Sequence, residues 1–281
     1  IPFFEISGME WTSGAAVITG AASGLGRSLS LLLAEAGWHV FLVDRDEIQL
    51  DALGSHIEGL GGHSSTFALD VMDYQSWQSL YQHVRSQLSS LELLINCAGV
   101  GASGEVGQLS GSQWQRVLNT NLLGTAFGCE MFVPWLRQNS GRSHVVNVAS
   151  IAGLLAPPSM AAYSASKAGV IALSESLAAE TSGKKPGVTI VCPGFFKSGL
   201  LDTWYFSAEL ESKEAHRRMD KCRWTSESVA LRVIRAIDRN KRYVVVGRTA
   251  SILWRLKRIA PVATTRILSV IYKRLERRNH Q

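Results

Sequence analysis

The chain has 281 residues, 46% of them hydrophobic, with 29 Lys and Arg against 23 Asp and Glu. That composition excludes a disordered or fibrous chain, and no apolar run is long enough for a membrane-spanning helix. The formal charge of +6 is gathered at one end, because residues 248–281 hold nine basic residues and one acid while the rest hold 20 basic and 22 acidic.

In chain order, residues 1–11 read as an upstream extension or an expression remnant, without the basic start of a signal peptide. Ala15–Thr19 is a short apolar run of strand type, followed by Gly20-Ala21-Ala22-Ser23-Gly24-Leu25-Gly26 and then a helical pattern through Leu29, Leu32, Leu33 and Ala36 that ends at Gly37. Strand, glycine-rich turn and helix in that order make a phosphate cradle, since glycines permit close backbone approach and a helix N-terminus presents N–H groups and a positive dipole end. A second strand, His39–Val43, ends at Asp44, about twenty residues past the glycines. An acidic side chain there reaches the ribose hydroxyls of NAD and repels a 2′-phosphate, while Arg45 beside it leaves NADP as the alternative.

Further strand signals follow at Ser65–Asp70, Leu91–Ile95, Ser143–Ala149, Val188–Cys192 and Tyr243–Val246, with helical segments between them. The alternation predicts one α/β unit over residues 12–247, a parallel sheet with helices on both faces. Within the apolar-periodic run Ala161–Ala179, Tyr163 and Lys167 are four apart, which stacks a phenol and an ammonium on one helix face. A cation beside a phenol favours the phenolate and brings its pKa toward the working range, and the Ser150 hydroxyl can hold the oxygen whose proton is exchanged. Cys97, Cys129, Cys192 and Cys222 are far apart and form no Cys-x-x-Cys pair, and the seven histidines are scattered, so free thiols in a reducing, cytoplasmic setting and no metal site are expected.

After Pro193-Gly194 come Phe195-Phe196-Lys197-Ser198-Gly199-Leu200-Leu201 and then Trp204-Tyr205-Phe206, and after Ser150 comes Leu154–Met160. Both segments are expected to border the cleft. With few hydrogen-bonding side chains among them, they point to a hydrophobic alcohol or ketone. In the tail, Ile252, Leu253, Trp254, Leu256 and Ile259 precede Pro261, and Ile267, Leu268, Ile271 and Leu275 follow it, opposite Arg266, Lys273 and Arg277. This is a basic amphipathic extension broken by Pro261 into two helices, a structural cover first and a peripheral membrane contact through residues 250–278 second. A near-neutral body without a reading module excludes nucleic acid.

Thr19-Gly-x-x-x-Gly-x-Gly26, Asn96-Cys97-Ala98-Gly99, Asn121, Ser150, Tyr163-x-x-x-Lys167 and Pro193-Gly194 together resemble the short-chain dehydrogenase/reductase family over roughly residues 12–247. The resemblance implies a Rossmann-type doubly wound domain of seven parallel strands in the order 3-2-1-4-5-6-7. It implies catalysis by Ser150, Tyr163 and Lys167, with Asn121 anchoring a relay water. It implies NAD held by Gly20, Ser23, Gly24, Leu25, Gly26, Asp44 and Arg45, with Asp70 and Val71 at the adenine. Asn96, Ala98 and Gly99 would line the middle of the cofactor, and Pro193, Gly194, Phe196 and Ser198, with Tyr163 and Lys167, its nicotinamide end. Cys97 and Ser198 depart mildly from the usual pattern. Homodimers or homotetramers built on helices around residues 112–137 and 161–180 are implied as well. Dinucleotide folds also serve as sensors without chemistry, so that reading stays beside the enzymatic one.

Overall fold

The computed structural model describes residue 11 and residues 13–279, apart from the side chains of residues 210 and 275–279. The expected N-terminal extension therefore lies outside the described residues except for Trp11, and so do the side chains of Leu275 and Arg277. The first half runs β1 (Ala15–Thr19), α1 (Gly24–Glu35), β2 (His39–Asp44), α2 (Glu47–Gly59), β3 (His63–Ala68), α3 (Tyr74–Gln87) and β4 (Leu93–Asn96). The middle holds β5 (Ala102–Ser103), α4 (Gly111–Leu118), a π-helical turn (Asn119–Leu123), α5 (Gly124–Gln138), β6 (His144–Val148), α6 (Ile151–Leu155) and α7 (Ala161–Glu180). Then come β7 (Gly187–Pro193), a 3-10 turn (Gly199–Thr203), β8 (Tyr205–Phe206), α8 (Glu209–Asp220), α9 (Ser226–Asp238), β9 (Tyr243–Val246), α10 (Arg248–Ile259) and α11 (Pro261–Asn279).

Seven strands form one sheet in the order β3-β2-β1-β4-β6-β7-β9, with every pairing parallel. Counted within the sheet this is 3-2-1-4-5-6-7, as the sequence resemblance implies. Alternate residues of each strand serve opposite faces. Ala16 and Ile18 of β1 join a core with α1, α2 and α9, whereas Ala15 and Val17 join a second core with α3, α5 and α7. Phe132 and Trp77 are fully buried in the second core, and burial of a large apolar side chain stabilises by roughly 1.5–3 kcal/mol.

Five strands differ in their bounds from the sequence reading, three of them (β2, β6 and β7) by a single residue at one or both ends. Ser65–Asp70 is observed as His63–Ala68 and Leu91–Ile95 as Leu93–Asn96. The cause is register: β3 is an edge strand of mostly polar residues, aligned by pairing from His39↔His63 to Asp44↔Ala68 rather than by its own apolar pattern. Leu69 and Leu91 are buried all the same, just outside the strands. Pro261 stands first in α11, where its missing N–H breaks no helical bond and its ring ends the preceding helix. No described helix is long and apolar enough to cross a membrane.

Candidate active site

The cofactor side of the cleft is assembled from the carboxyl ends of β1, β2 and β4. At the start of α1 the chain folds back so tightly that a Cβ on Gly26 would lie 2.0 Å from the Gly20 carbonyl oxygen, so only glycine fits. The Thr19 hydroxyl accepts from the backbone N–H of both Cys97 (3.1 Å) and Ala98 (3.2 Å), joining the end of β1 to the loop after β4. Asp44 is held as firmly. Its carboxylate accepts from the backbone N–H groups of Ala22 (3.0 Å), Arg45 (2.7 Å) and Asp46 (3.2 Å), beside the glycine turn.

One cleft is lined by Gly20, Ser23, Gly24, Leu25, Gly26, Asp44, Arg45, Asp70, Val71, Ala98, Gly99, Pro193, Gly194, Phe196 and Ser198, together with Ser150, Tyr163 and Lys167. Two of the sequence candidates stand behind its wall instead. Asn96 is buried with its amide donating to Asn147 Oδ1 at 2.8 Å. Asn121, in the π-helical turn, is fully buried, and its side chain bonds the N–H and C=O of Val100 (2.8 and 2.9 Å) and Ser166 Oγ (3.0 Å). Sequence reasoning passed over Leu69, Val100, Thr120, Val148, Ala149 and Thr203, which also line the cleft. Most directly follow or precede a recognised motif residue, and adjacency was the signal available.

The residues fit a dinucleotide. The Ser198 hydroxyl is buried with no protein partner among the described residues, and Ser198 lines the cleft together with Pro193, Gly194 and Gly24, where a polar group of a bound cofactor would satisfy it. The glycine turn itself carries no side chain at Gly20, Gly24 and Gly26, which leaves the backbone at the α1 N-terminus open to the close approach of a phosphate.

Helix α7 carries Tyr163 and Lys167 on its buried face, and β6 delivers Ser150 as the cap of α6, where its hydroxyl accepts from Ala152 N–H at 3.1 Å. Lys167 Nζ donates to the Val148 carbonyl at 2.8 Å and lies 5.9 Å from the centre of the Tyr163 ring. Burial pushes the Tyr163 phenol up to about 12, with a hydrogen bond from Ser150 pulling it back, and burial pushes Lys167 down to about 8. The direction at Tyr163 is opposite to the one expected from its spacing to Lys167: desolvation of the buried phenol outweighs the hydrogen bond from Ser150.

The substrate side is closed by a small parallel ribbon, β5 with β8, that the sequence reading did not anticipate. It places the Trp204 ring 4.7 Å from that of Tyr163, with Phe206 stacked behind it at 6.1 Å. Trp204 Nε1 donates to Ser103 Oγ at 3.0 Å, and a Cβ on Gly101 would meet the indole at 2.0 Å. Of the two segments expected at the cleft, Phe196–Leu200 contributes to it. Ala156–Ser159 instead lines a separate hollow against Ala161, Ser164, Ala165 and Ala168 of α7.

A family model described as short chain dehydrogenase matches residues 14–206. Among curated relatives, the probable oxidoreductase EphD of Mycobacterium tuberculosis is 30% identical over 254 residues, which is 88% of this chain and 43% of that protein. The chain thus spans less than half the length of that relative. The 3-oxoacyl-acyl-carrier-protein reductase FabG of Thermotoga maritima is 33% identical over 187 residues, 66% of this chain and 75% of the relative. A short-chain dehydrogenase/reductase from Burkholderia phymatum, solved in complex with NAD, superposes with a TM-score of 0.84 at 30% identity, covering 89% of this chain and 94% of its own. A short-chain dehydrogenase from Sphingobium yanoikuyae in complex with NADPH shares the fold, with a TM-score of 0.74 at 23% identity over 88% and 93% of the two chains.

Proposed function

Because the chain belongs to the short-chain dehydrogenase family, we propose that it is an NAD-dependent oxidoreductase interconverting a secondary alcohol and a ketone on a largely hydrophobic substrate. The observation that carries this reading is convergence: Ser150, from the end of β6, and Tyr163 and Lys167, from α7, meet in the cleft that also holds the glycine cradle. A cofactor-sensing protein has no need of that arrangement.

In the proposed reaction Ser150 orients the substrate oxygen, and Tyr163 takes the alcohol proton during oxidation or returns it during reduction. Lys167, anchored on Val148, would hold the nicotinamide ribose, and Asn121 braces Val100 and Ser166, the latter bonded to the Tyr163 carbonyl at 2.8 Å. Bound NAD would supply the hydride acceptor and, when oxidised, a positive charge that favours the phenolate. The protein contributes positioning and proton transfer.

The Asp44 carboxylate supports NAD over NADP, because it is fixed by backbone donors and cannot swing away from a 2′-phosphate. Trp204 and Phe206 over Tyr163 support an apolar, flat substrate over a sugar. Residues 12–247 form the catalytic unit in this reading, acting in the cytoplasm as a homodimer or homotetramer. The test is purified protein with NAD and a panel of secondary alcohols, followed by absorbance of the reduced cofactor. Turnover of aromatic, steroid-like or fatty alcohols should exceed that of sugars and short polyols, and the reverse ranking would refute the substrate reading.

A further inference from the structure

Helix α11 has two unlike faces. On one, Thr264 is fully buried, and Leu268 and Tyr272 follow at successive intervals of four. Tyr272 Oη accepts from Ser159 Oγ at 2.8 Å and donates to Glu105 Oε1 at 2.9 Å, which seats the helix against the loop leading into Tyr163. On the other face Ile267, Val270 and Ile271 are 40%, 50% and 45% exposed, at the spacing i, i+3, i+4, with the exposed Arg274 at i+7 and the exposed Arg266 and Lys273 alongside. Helix α10 repeats the composition, with Ile252 64% and Ile259 85% exposed on either side of Arg255. From Arg248 to Arg274 there are seven basic residues and no acid, and among the described residues none of the seven pairs with a carboxylate.

We propose that the outer face of α10 and α11 is a docking surface for an anionic phospholipid bilayer. Exposed isoleucines flanked by unpaired cations complement acyl chains beneath phosphate headgroups. A second copy of the chain fits poorly, because a two-fold contact through this face would set arginine against arginine. Nucleic acid would leave the isoleucines wet. Neither helix spans the bilayer; both lie along it, and Tyr272 places the contact next to the loop of Ser159. The binding itself does not depend on the reaction proposed above.

The test is co-sedimentation of the full chain with vesicles of roughly one-third phosphatidylglycerol in phosphatidylcholine, against pure phosphatidylcholine, at low and high salt. Binding should require the anionic lipid and fall away with salt. Ile267→Ser with Ile271→Ser should abolish it, and Arg266→Glu with Lys273→Glu should weaken it at least about tenfold, given about fivefold per cation near such a surface. In all variants NAD affinity by calorimetry should stay unchanged, which separates failure here from failure of the catalytic reading. Absence of binding at low salt would overturn the proposal, as would binding that the isoleucine variant retains. Dissociation of an oligomer by that variant, with no vesicle binding by the parent chain, would also overturn it and assign the face to subunit contact.

Discussion

The two halves of the cleft are built on different principles. The cofactor half comes from strand ends and the turns directly after them, and its parts are tied by backbone groups: Thr19 to the Cys97 and Ala98 amides, Asp44 to the Ala22, Arg45 and Asp46 amides. The substrate half is gathered from remote segments, Gly101–Ser103 and Trp204–Phe206, held together by side chains and a two-residue ribbon. Backbone ties tolerate few changes, whereas side-chain ties can be exchanged one at a time. The arrangement leaves one half constant while the other can vary in what it admits.

The sharpest way to break that comparison lies where the halves meet. Tyr163→Phe keeps the ring against Trp204 and removes only the titrating oxygen. Turnover should fall roughly 10²–10⁴-fold while NAD affinity by calorimetry survives, and retention of most activity would unseat Tyr163 as the proton donor. The pH profile follows from the raised phenol. Oxidation needs the phenolate, a minor form at neutral pH when the pKa is pushed up to about 12, so its rate should climb with rising pH. Reduction needs the protonated phenol and should stay level over the same range. An acid optimum for oxidation would contradict the assignment.

On the cofactor half, Asp44→Ala should erase a preference for NAD over NADP of at least about tenfold, equivalent to ~1.4 kcal/mol, in paired titrations. Equal affinities in the parent protein would show that Arg45 compensates. The smallest effect is expected outside the cleft, where Tyr272 ties α11 to the loop before α7. Tyr272→Phe removes the bonds to Ser159 and Glu105, each of a class worth about 0.5–1.5 kcal/mol. KM for the alcohol should rise roughly threefold with NAD affinity untouched. A change in thermal stability alone, with KM constant, would reduce Tyr272 to a fastening for the helix.

The same contrast explains what could be read from the sequence. Cofactor contacts fall in contiguous motifs whose spacing reflects local geometry, so Gly20–Gly26, Asp44, Asp70 and Val71 were legible and do line one cleft. Tyr163 and Lys167 were legible for the same reason, being one helical turn apart. The β5–β8 ribbon was not, since two residues carry no periodicity and its register comes from a partner a hundred positions away. Asn96 and Asn121 lie within recognisable motifs, yet their side chains turn into the wall, which spacing alone does not reveal. The rise of the Tyr163 pKa escaped as well, because desolvation is set by what packs over the ring rather than by its neighbour on the helix.

Trp204 resting on Tyr163 has a consequence for the energetics of entry. The catalytic ring is dry before any substrate arrives, so the usual gain from leaving water has largely been taken by the indole. A substrate that reaches the phenol exchanges one aromatic contact for another, and its net affinity is the difference between two similar quantities. A flat molecule that reproduces the indole's contact enters at little expense in free energy. A branched one of equal apolar area does not recover what it displaces. Discrimination at this site thus follows shape at the ring face more than total hydrophobicity.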